Sequence, residues 1–333
     1  GQQFLWSRNL VAPGACYGWK LGSQGLPEIK NPMKHFAHTY ASSLLLTVLL
    51  LAGNAACSLF GNSEGSDDGA AAILAAAMPG GSSSGSACLA SWPYSSGAYL
   101  ADSSVNPSIR ADTFGDPLLA QNRICGGGWS TGGTDVYTLG NSSECETGES
   151  CLVLHWNGKR VLNGSGIDFV VYENAFLISS PSRYFIEAVI VEVSEDGANW
   201  CGWSPNYSGG DSTRANVQNP DNYTDVAGLT PVLFKQSDTN TLGAADLFST
   251  TADEYGTHLS GGGDGFDLSS ANFGSTGNGC NTTLRDSLRS GGFVYVRLTT
   301  ANSRNPTAFP ANPDSFDQQG DIDGVVARSV ADR

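Results

Sequence analysis

Glu187-Ala-Val-Ile-Val-Glu-Val-Ser-Glu-Asp-Gly-Ala-Asn-Trp200 decides the fold. Successive side chains of a β-strand point to opposite faces. Val189, Val191 and Val193 therefore share one face, and Ile190, Glu192 and Ser194 the other. The first face reads as core, the second as the wetter side of a sheet. Asp196-Gly197 supplies a hairpin turn, because glycine tolerates the positive φ such turns demand. The same pattern recurs in both directions along the chain. Cys151-Leu-Val-Leu-His-Trp156, Asp168-Phe-Val-Val-Tyr-Glu-Asn174 and Phe293-Val-Tyr-Val-Arg-Leu-Thr-Thr300 are strand-like, and Asp323-Gly-Val-Val-Ala-Arg328 reads as a closing strand. Downstream of residue 98 no long amphipathic helix is expected. Many strands between glycine-rich turns predict an all-β sandwich or barrel. About 235 residues form one such domain.

Composition agrees. Glycine is 42 of 333 residues, and only 15% of the chain is charged, against about 25% in an average soluble protein. Acidic residues outnumber basic ones 32 to 17, for a net charge of −15. That excludes nucleic acid as a partner, since phosphate binding needs a basic stripe. Helix bundles are excluded too, for want of Glu, Lys and Arg.

Met33-Lys34-His35, the apolar run Ala41–Ala52 and the small residues Gly53-Asn-Ala-Ala56 have the layout of a secretory signal. The run is too short for the ~20 residues of a spanning helix. Residues 1–32 are read as an upstream extension, 33–56 as signal, 57–97 as a Gly/Ser-rich linker and 98–333 as the β domain. Cleavage that removes Arg8, Lys20, Lys30, Lys34 and Glu28 leaves 13 basic and 31 acidic residues. Gly/Ser chains behave as flexible coils, so the linker is expected to be a disordered tether. Within it Ala70–Met78 is read as at most a short helix. The G-x-S-x-G matches at Ser63 and Ser83 lack the strand-to-helix setting of a nucleophile elbow.

Of eight cysteines, Cys16 precedes Met33 and Cys57 directly follows the signal. The remaining six, Cys88, Cys125, Cys145, Cys151, Cys201 and Cys280, are even in number in a chain expected to be exported, which suggests disulfides. Cys145 and Cys151 are spaced to close a small loop; the other pairings stay open.

Val191–Trp200, an apolar strand ending in Ser-x-Asp-Gly and returning through an aromatic, resembles the discoidin-type, galactose-binding-like jelly rolls. Phe293–Leu298 resembles a later strand of that fold. Tyr99-Leu-Ala-Asp102, Thr134–Gly140, Asn163–Phe176, Ala227-Gly-Leu-Thr-Pro231, Gly263–Leu268 and Asp321-Ile-Asp-Gly-Val-Val326 together are similar to a group of bacterial cell-surface proteins that includes leptospiral lipoproteins of uncharacterised function. The resemblance implies a jelly-roll-like sandwich on a cell surface. Cys57 after Ala-Ala resembles a lipoprotein's lipid-accepting cysteine, although Asn54 stands where leucine is usual. It implies an anchor in the outer membrane or at the cell surface, with ordinary signal cleavage as the alternative.

Acidic residues cluster at turns, among them Asp264 and Asp267 in Gly261-Gly-Gly-Asp-Gly-Phe-Asp267. Calcium takes six to eight oxygen ligands, and glycine-rich loops expose carbonyls. Modules of the resembled type often hold a structural Ca²⁺, and Glu173, Asp267 and Asp323 are the expected ligands here. By analogy of fold the expected ligand is a glycan, stacked on the loop aromatics Trp129, Trp203 and Tyr207; Trp156 and Trp200 lie on strand patterns and read as core. The alternative is an adhesin that binds a host or matrix protein. No Ser-His-Asp order, H-E-x-x-H, Walker loop or dinucleotide fingerprint appears, so catalysis is not expected, and the one enzymatic alternative is a glycoside-acting pair of carboxylates.

Overall fold

The computed structural model describes residues 87–106, 113–139, 145, 151–179, 183–210, 219–310 and 319–333. The signal, Cys57, the Ala70–Met78 segment and both G-x-S-x-G matches lie outside these residues. The described strands are β1 (Tyr99–Leu100), β2 (Ser103–Asn106), β3 (Tyr137–Thr138), β4 (Cys151–His155), β5 (Lys159–Val161), β6 (Phe169–Glu173), β7 (Phe176–Ser179), β8 (Arg183–Phe185) and β9 (Val189–Ser194). There follow β10 (Cys201–Gly202), β11 (Asn206–Tyr207), β12 (Tyr223–Thr224), β13 (Thr250–Asp253), β14 (Gly256–Leu259), β15 (Asp264–Phe266), β16 (Tyr295–Thr300), β17 (Asp321–Ala327) and β18 (Val330–Asp332).

The protein is an all-β sandwich. One five-stranded sheet runs β1-β17-β6-β15 with β3 also paired to β17; the other runs β10-β9-β16-β4-β2. All their pairings are antiparallel. Along the chain β1, β2, β3, β4, β6, β9, β15, β16 and β17 alternate between the two sheets, the jelly-roll manner of winding. Between the sheets Phe169 and Val171 of β6 meet Leu152 and Leu154 of β4, Val191 of β9, and Val296 and Leu298 of β16. Each such side chain taken from water stabilises the fold by roughly 1.5–3 kcal/mol.

β6 is apolar on both faces, and the reason is a second core. Val170 and Tyr172, with Val326 of β17, pack under Phe234, Leu247 and Trp92. The sheet is thus covered twice, which is why Phe169–Tyr172 runs apolar without alternation. Trp92 also places residues 87–97 in the domain. Trp92 Nε1 donates to the Ala98 carbonyl, Leu89 N to Gln236 O, and Cys88 is bonded to Cys125. The linker expected through residue 97 therefore gives way to packed chain by residue 88.

The outer face of β9 is not wet either. Ile190 joins a third core with Leu177, Tyr184 and Tyr223, and Glu192 and Ser194 are wholly buried. Glu192 is neutralised where it lies: Arg297 Nε and Nη2 donate to its Oε2 at 2.9 and 2.7 Å, and Arg304 adds two further bonds. Gly197, at φ 79°, makes the turn after β9. Cys145–Cys151 and Cys201–Cys280 are also bonded, so all six described cysteines are paired. One ten-residue helix, α1 (Thr282–Gly291), is present, short enough to agree with the expectation of no long amphipathic helix but not marked by the sequence pattern. The Asn281 side chain accepts from Leu284 N, and Gly292 ends the helix at φ 80°.

Candidate functional site

A cleft of about 490 Å³ opens where residues from six stretches of the chain meet. Its first wall is the loop Gly126–Gly133. Gly126 N donates to Phe234 O at 2.9 Å and Gly128 N to Val232 O at 3.2 Å. A Cβ on Gly126 would come 2.1 Å from the Val232 carbonyl oxygen, so only glycine lies this close. Leu177 N donates to Trp129 O at 2.6 Å and holds Trp129 at the mouth.

The β13–β14 hairpin supplies the next wall. Asp253 Oδ1 accepts from Tyr255 N at 2.8 Å and tightens the turn. Tyr255 then lies on Trp129, ring centroids 4.2 Å apart and planes 29° apart. The His258 ring meets the Trp129 ring edge-on at 4.8 Å. Its Nδ1 lies 2.8 Å from Leu259 O and its Nε2 3.1 Å from Asp253 Oδ2.

Tyr184, Pro220, Asp221 and Tyr223 form the opposite side. Tyr223 is buried, and its hydroxyl has no hydrogen-bond partner among the described residues. Burial pushes its pKa, and that of Tyr184, above the ordinary phenol value.

Leu229, Thr230, Pro231 and Asp264 line the base. Asp264 Oδ2 accepts from Gly228 N at 2.8 Å and Leu229 N at 2.9 Å, and Oδ1 accepts from Thr230 Oγ1 at 2.9 Å. Burial nevertheless pushes its pKa up to about 6, because those donors only partly replace water. Behind it Glu173 is fully buried; its Oε1 accepts from Asp321 N, while Oε2 has no partner among the described residues. Burial, then the nearby Asp321 and Asp264, hold the Glu173 carboxyl well above the usual range. Gly228, at φ 89°, passes between the two acids, where a Cβ would lie 3.0 Å from Glu173 Oε2.

Trp129 is thus in the cleft. Tyr207 stands one ring behind it, 4.7 Å from Tyr223. Trp203 is not a surface aromatic: it is 3% exposed and packs against Phe169, Phe266 and Phe273, with its Nε1 donating to Asp267 O. Neither of its faces is open to a sugar. Trp156 and Trp200 are core residues, as expected.

Of the expected calcium ligands, Asp267 stands apart. Asp267 follows Phe266, which pairs with Phe169 at the start of β6, whereas Glu173 ends that strand, about 13 Å away at the rise of a β-strand. Asp267 Oδ1 accepts from Ser269 N, and Asp323, in the bulge of β17, accepts from Cys125 N. Among the described residues no group of three or more His, Cys, Asp or Glu is arranged to hold a metal.

Tyr184, Tyr223 and Tyr255 are cleft residues that sequence reasoning missed. Asp253-Glu-Tyr-Gly256 could have marked Tyr255 as a turn aromatic; Tyr184 and Tyr223 carry no such signal. A second, more open hollow at the start of α1 is lined by Asn199, Asn281, Thr282, Thr283 and Ser287 with no aromatic ring. In comparisons with known proteins, no family model, curated protein or solved structure matches this chain.

Proposed function

We propose that this is an exported, lipid-anchored surface protein whose sandwich binds a glycan in the Trp129–Tyr255 cleft. The observation that carries the reading is the cleft itself. The partly exposed rings of Trp129 and Tyr255, with the buried rings of Tyr184 and Tyr223 also in the lining, converge with a few polar groups in a hollow of the size that small ligands occupy. Sugars present apolar C–H faces that suit aromatic rings, and hydroxyls that suit fixed carboxylates. Three disulfides support export to an oxidising compartment, and the segment Met33–Cys57 supports the signal and anchor. Binding fits Asp264, whose Oδ2 is engaged by the Gly228 and Leu229 N–H groups while Oδ1, which accepts from the Thr230 hydroxyl, has a further lone pair for a ligand donor.

A glycan array probed with the full chain tests the reading. Sugar hits that weaken about tenfold in Trp129→Ala, with Trp203→Phe as the core control, support it. An array without hits, or with hits indifferent to Trp129, overturns it; capture of matrix protein in the same format would point to an adhesin. Mass spectrometry of the mature N-terminus checks lipid on Cys57.

A further inference from the structure

Resting on the glycan reading, we infer that the cleft selects a sugar bearing a free, protonated amino group. Three features of the lining converge on that class. The first is charge. Among the described residues neither lysine nor arginine lines the cleft, while Asp221 stands exposed at one side and Asp264 lies at the base. The only basic ring, His258, has Asp253 against its Nε2, so that carboxylate offsets any charge the imidazole carries. The whole chain adds to the bias with a net charge of −15.

The second feature is the hydrogen-bonding inventory. A site for neutral sugars uses amide groups, which donate and accept side by side. Among the described residues no Asn, Gln or Arg lines this cleft; its side-chain polar groups are carboxylates, hydroxyls, one imidazole and the Trp129 indole N–H. Thr230 Oγ1 is already spent as a donor on Asp264. Ionised carboxylates only accept, so the matching ligand is rich in donors, and an ammonium group offers three.

The third feature is the aromatic wall. A cation over the face of Trp or Tyr is drawn to the ring quadrupole, more strongly where water is excluded. Trp129 and Tyr255, stacked on each other and each partly exposed, bring two such rings to the cleft that holds the acids; Tyr184 and Tyr223 are buried in its lining. A sugar carboxylate or sulfate would meet these rings and acids with the wrong sign. Rings and carboxylates together thus fit an amine better than a neutral or acidic sugar.

Calorimetry on the full chain near neutral pH would compare three probes of equal length: a β-1,4-linked glucosamine tetramer, its N-acetylated counterpart and a glucose tetramer. The expected result is binding of the free-amine tetramer about tenfold tighter than either neutral one. That advantage should shrink to about threefold or less in ~0.5 M salt, where the Debye length is only a few ångströms. Asp221→Asn, at an exposed position, should take away about threefold of the advantage, and Asp264→Asn most of it. Trp129→Ala should weaken all three probes. Equal binding of the three overturns the amine inference and leaves the glycan reading standing. An amine advantage that persists undiminished in both Asp221→Asn and Asp264→Asn overturns it too, since the attraction would then belong to the acidic surface at large. Binding of none overturns both.

Discussion

Glu192→Gln removes one charge and almost no volume from the centre of β9. Glu192 faces Arg297 across the β9–β16 ladder, and both are buried, at 1% and 2% exposure. The Arg297 guanidinium also lies over the Trp200 ring at 4.4 Å. A glutamine accepts one of the former bonds but leaves Arg297 a cation in a dry place. Removing one partner of a buried pair costs about 3–5 kcal/mol, far beyond the 0–1 kcal/mol of a surface pair. Arg304 is less affected, because its side chain is 20% exposed and can turn to water. For a domain of this size each kcal/mol is worth roughly 2–4 °C, so Tm should fall by about 6–20 °C. Urea denaturation followed by tryptophan fluorescence, with an unchanged m-value, measures the loss. Glu192→Leu combined with Arg297→Met should recover most of it, since no charge is then stranded. A loss below about 1 kcal/mol for Glu192→Gln would refute the reasoning and mean that water reaches the pair.

Other outcomes follow from the same packing. Burial holds the Asp168 and Asp264 carboxyls at about 6 and pushes Glu173 and Asp323 well above the usual range. A folded pKa above the unfolded one gives stability that is full below about pH 4 and is lost as pH rises through about 6. Tm should therefore be higher near pH 5 than near pH 7.5, with a shallower slope in Asp264→Asn; a Tm that climbs across that window would contradict the assignment. Asp196, whose carboxylate is stabilised chiefly by the Asn199 N–H, acts in the opposite sense only in stronger acid. Loss of Cys201–Cys280, which closes a separation of 79 residues, should cost about 4 kcal/mol, read as the shift in urea midpoint of the double serine variant. Trp203→Ala should cost about 3–5 kcal/mol, whereas Trp129→Ala should cost under about 1.5 kcal/mol and act on ligand binding, a split that paired melts and calorimetry would show.

The alternation in β9 and β16 was legible because the inter-sheet core takes every second side chain. Its limit was the other face: Ile190, Glu192 and Ser194 look solvent-facing by period alone, and only the tertiary cover from Arg304, Leu177 and Tyr223 buries them. α1 escaped notice because only Leu284 and Leu288 are apolar in Thr282–Gly291, although Asn281 and Gly292 mark its two ends. Trp129 and Trp203 both stand among glycine, serine and proline, and nothing local separates the ring at a cleft from the ring in the core. Asp264 was visible as one of several turn acids. Its place beside Glu173 depends on β6 and β15 pairing across nearly a hundred residues, which no local pattern encodes.

The Cys88–Cys125 bond has a mechanical consequence. β1 pairs with β17 through only Tyr99↔Ala327 and Leu100↔Val326, and such a ladder peels one residue at a time when pulled from its free end. Force arriving from residues before Cys88 reaches the disulfide first and passes covalently to Cys125. From there Cys125 N, held by Asp323, spreads it into the centre of β17. The covalent link thus places the weak first strand outside the load path, and the sandwich meets a tug at its middle instead of its edge.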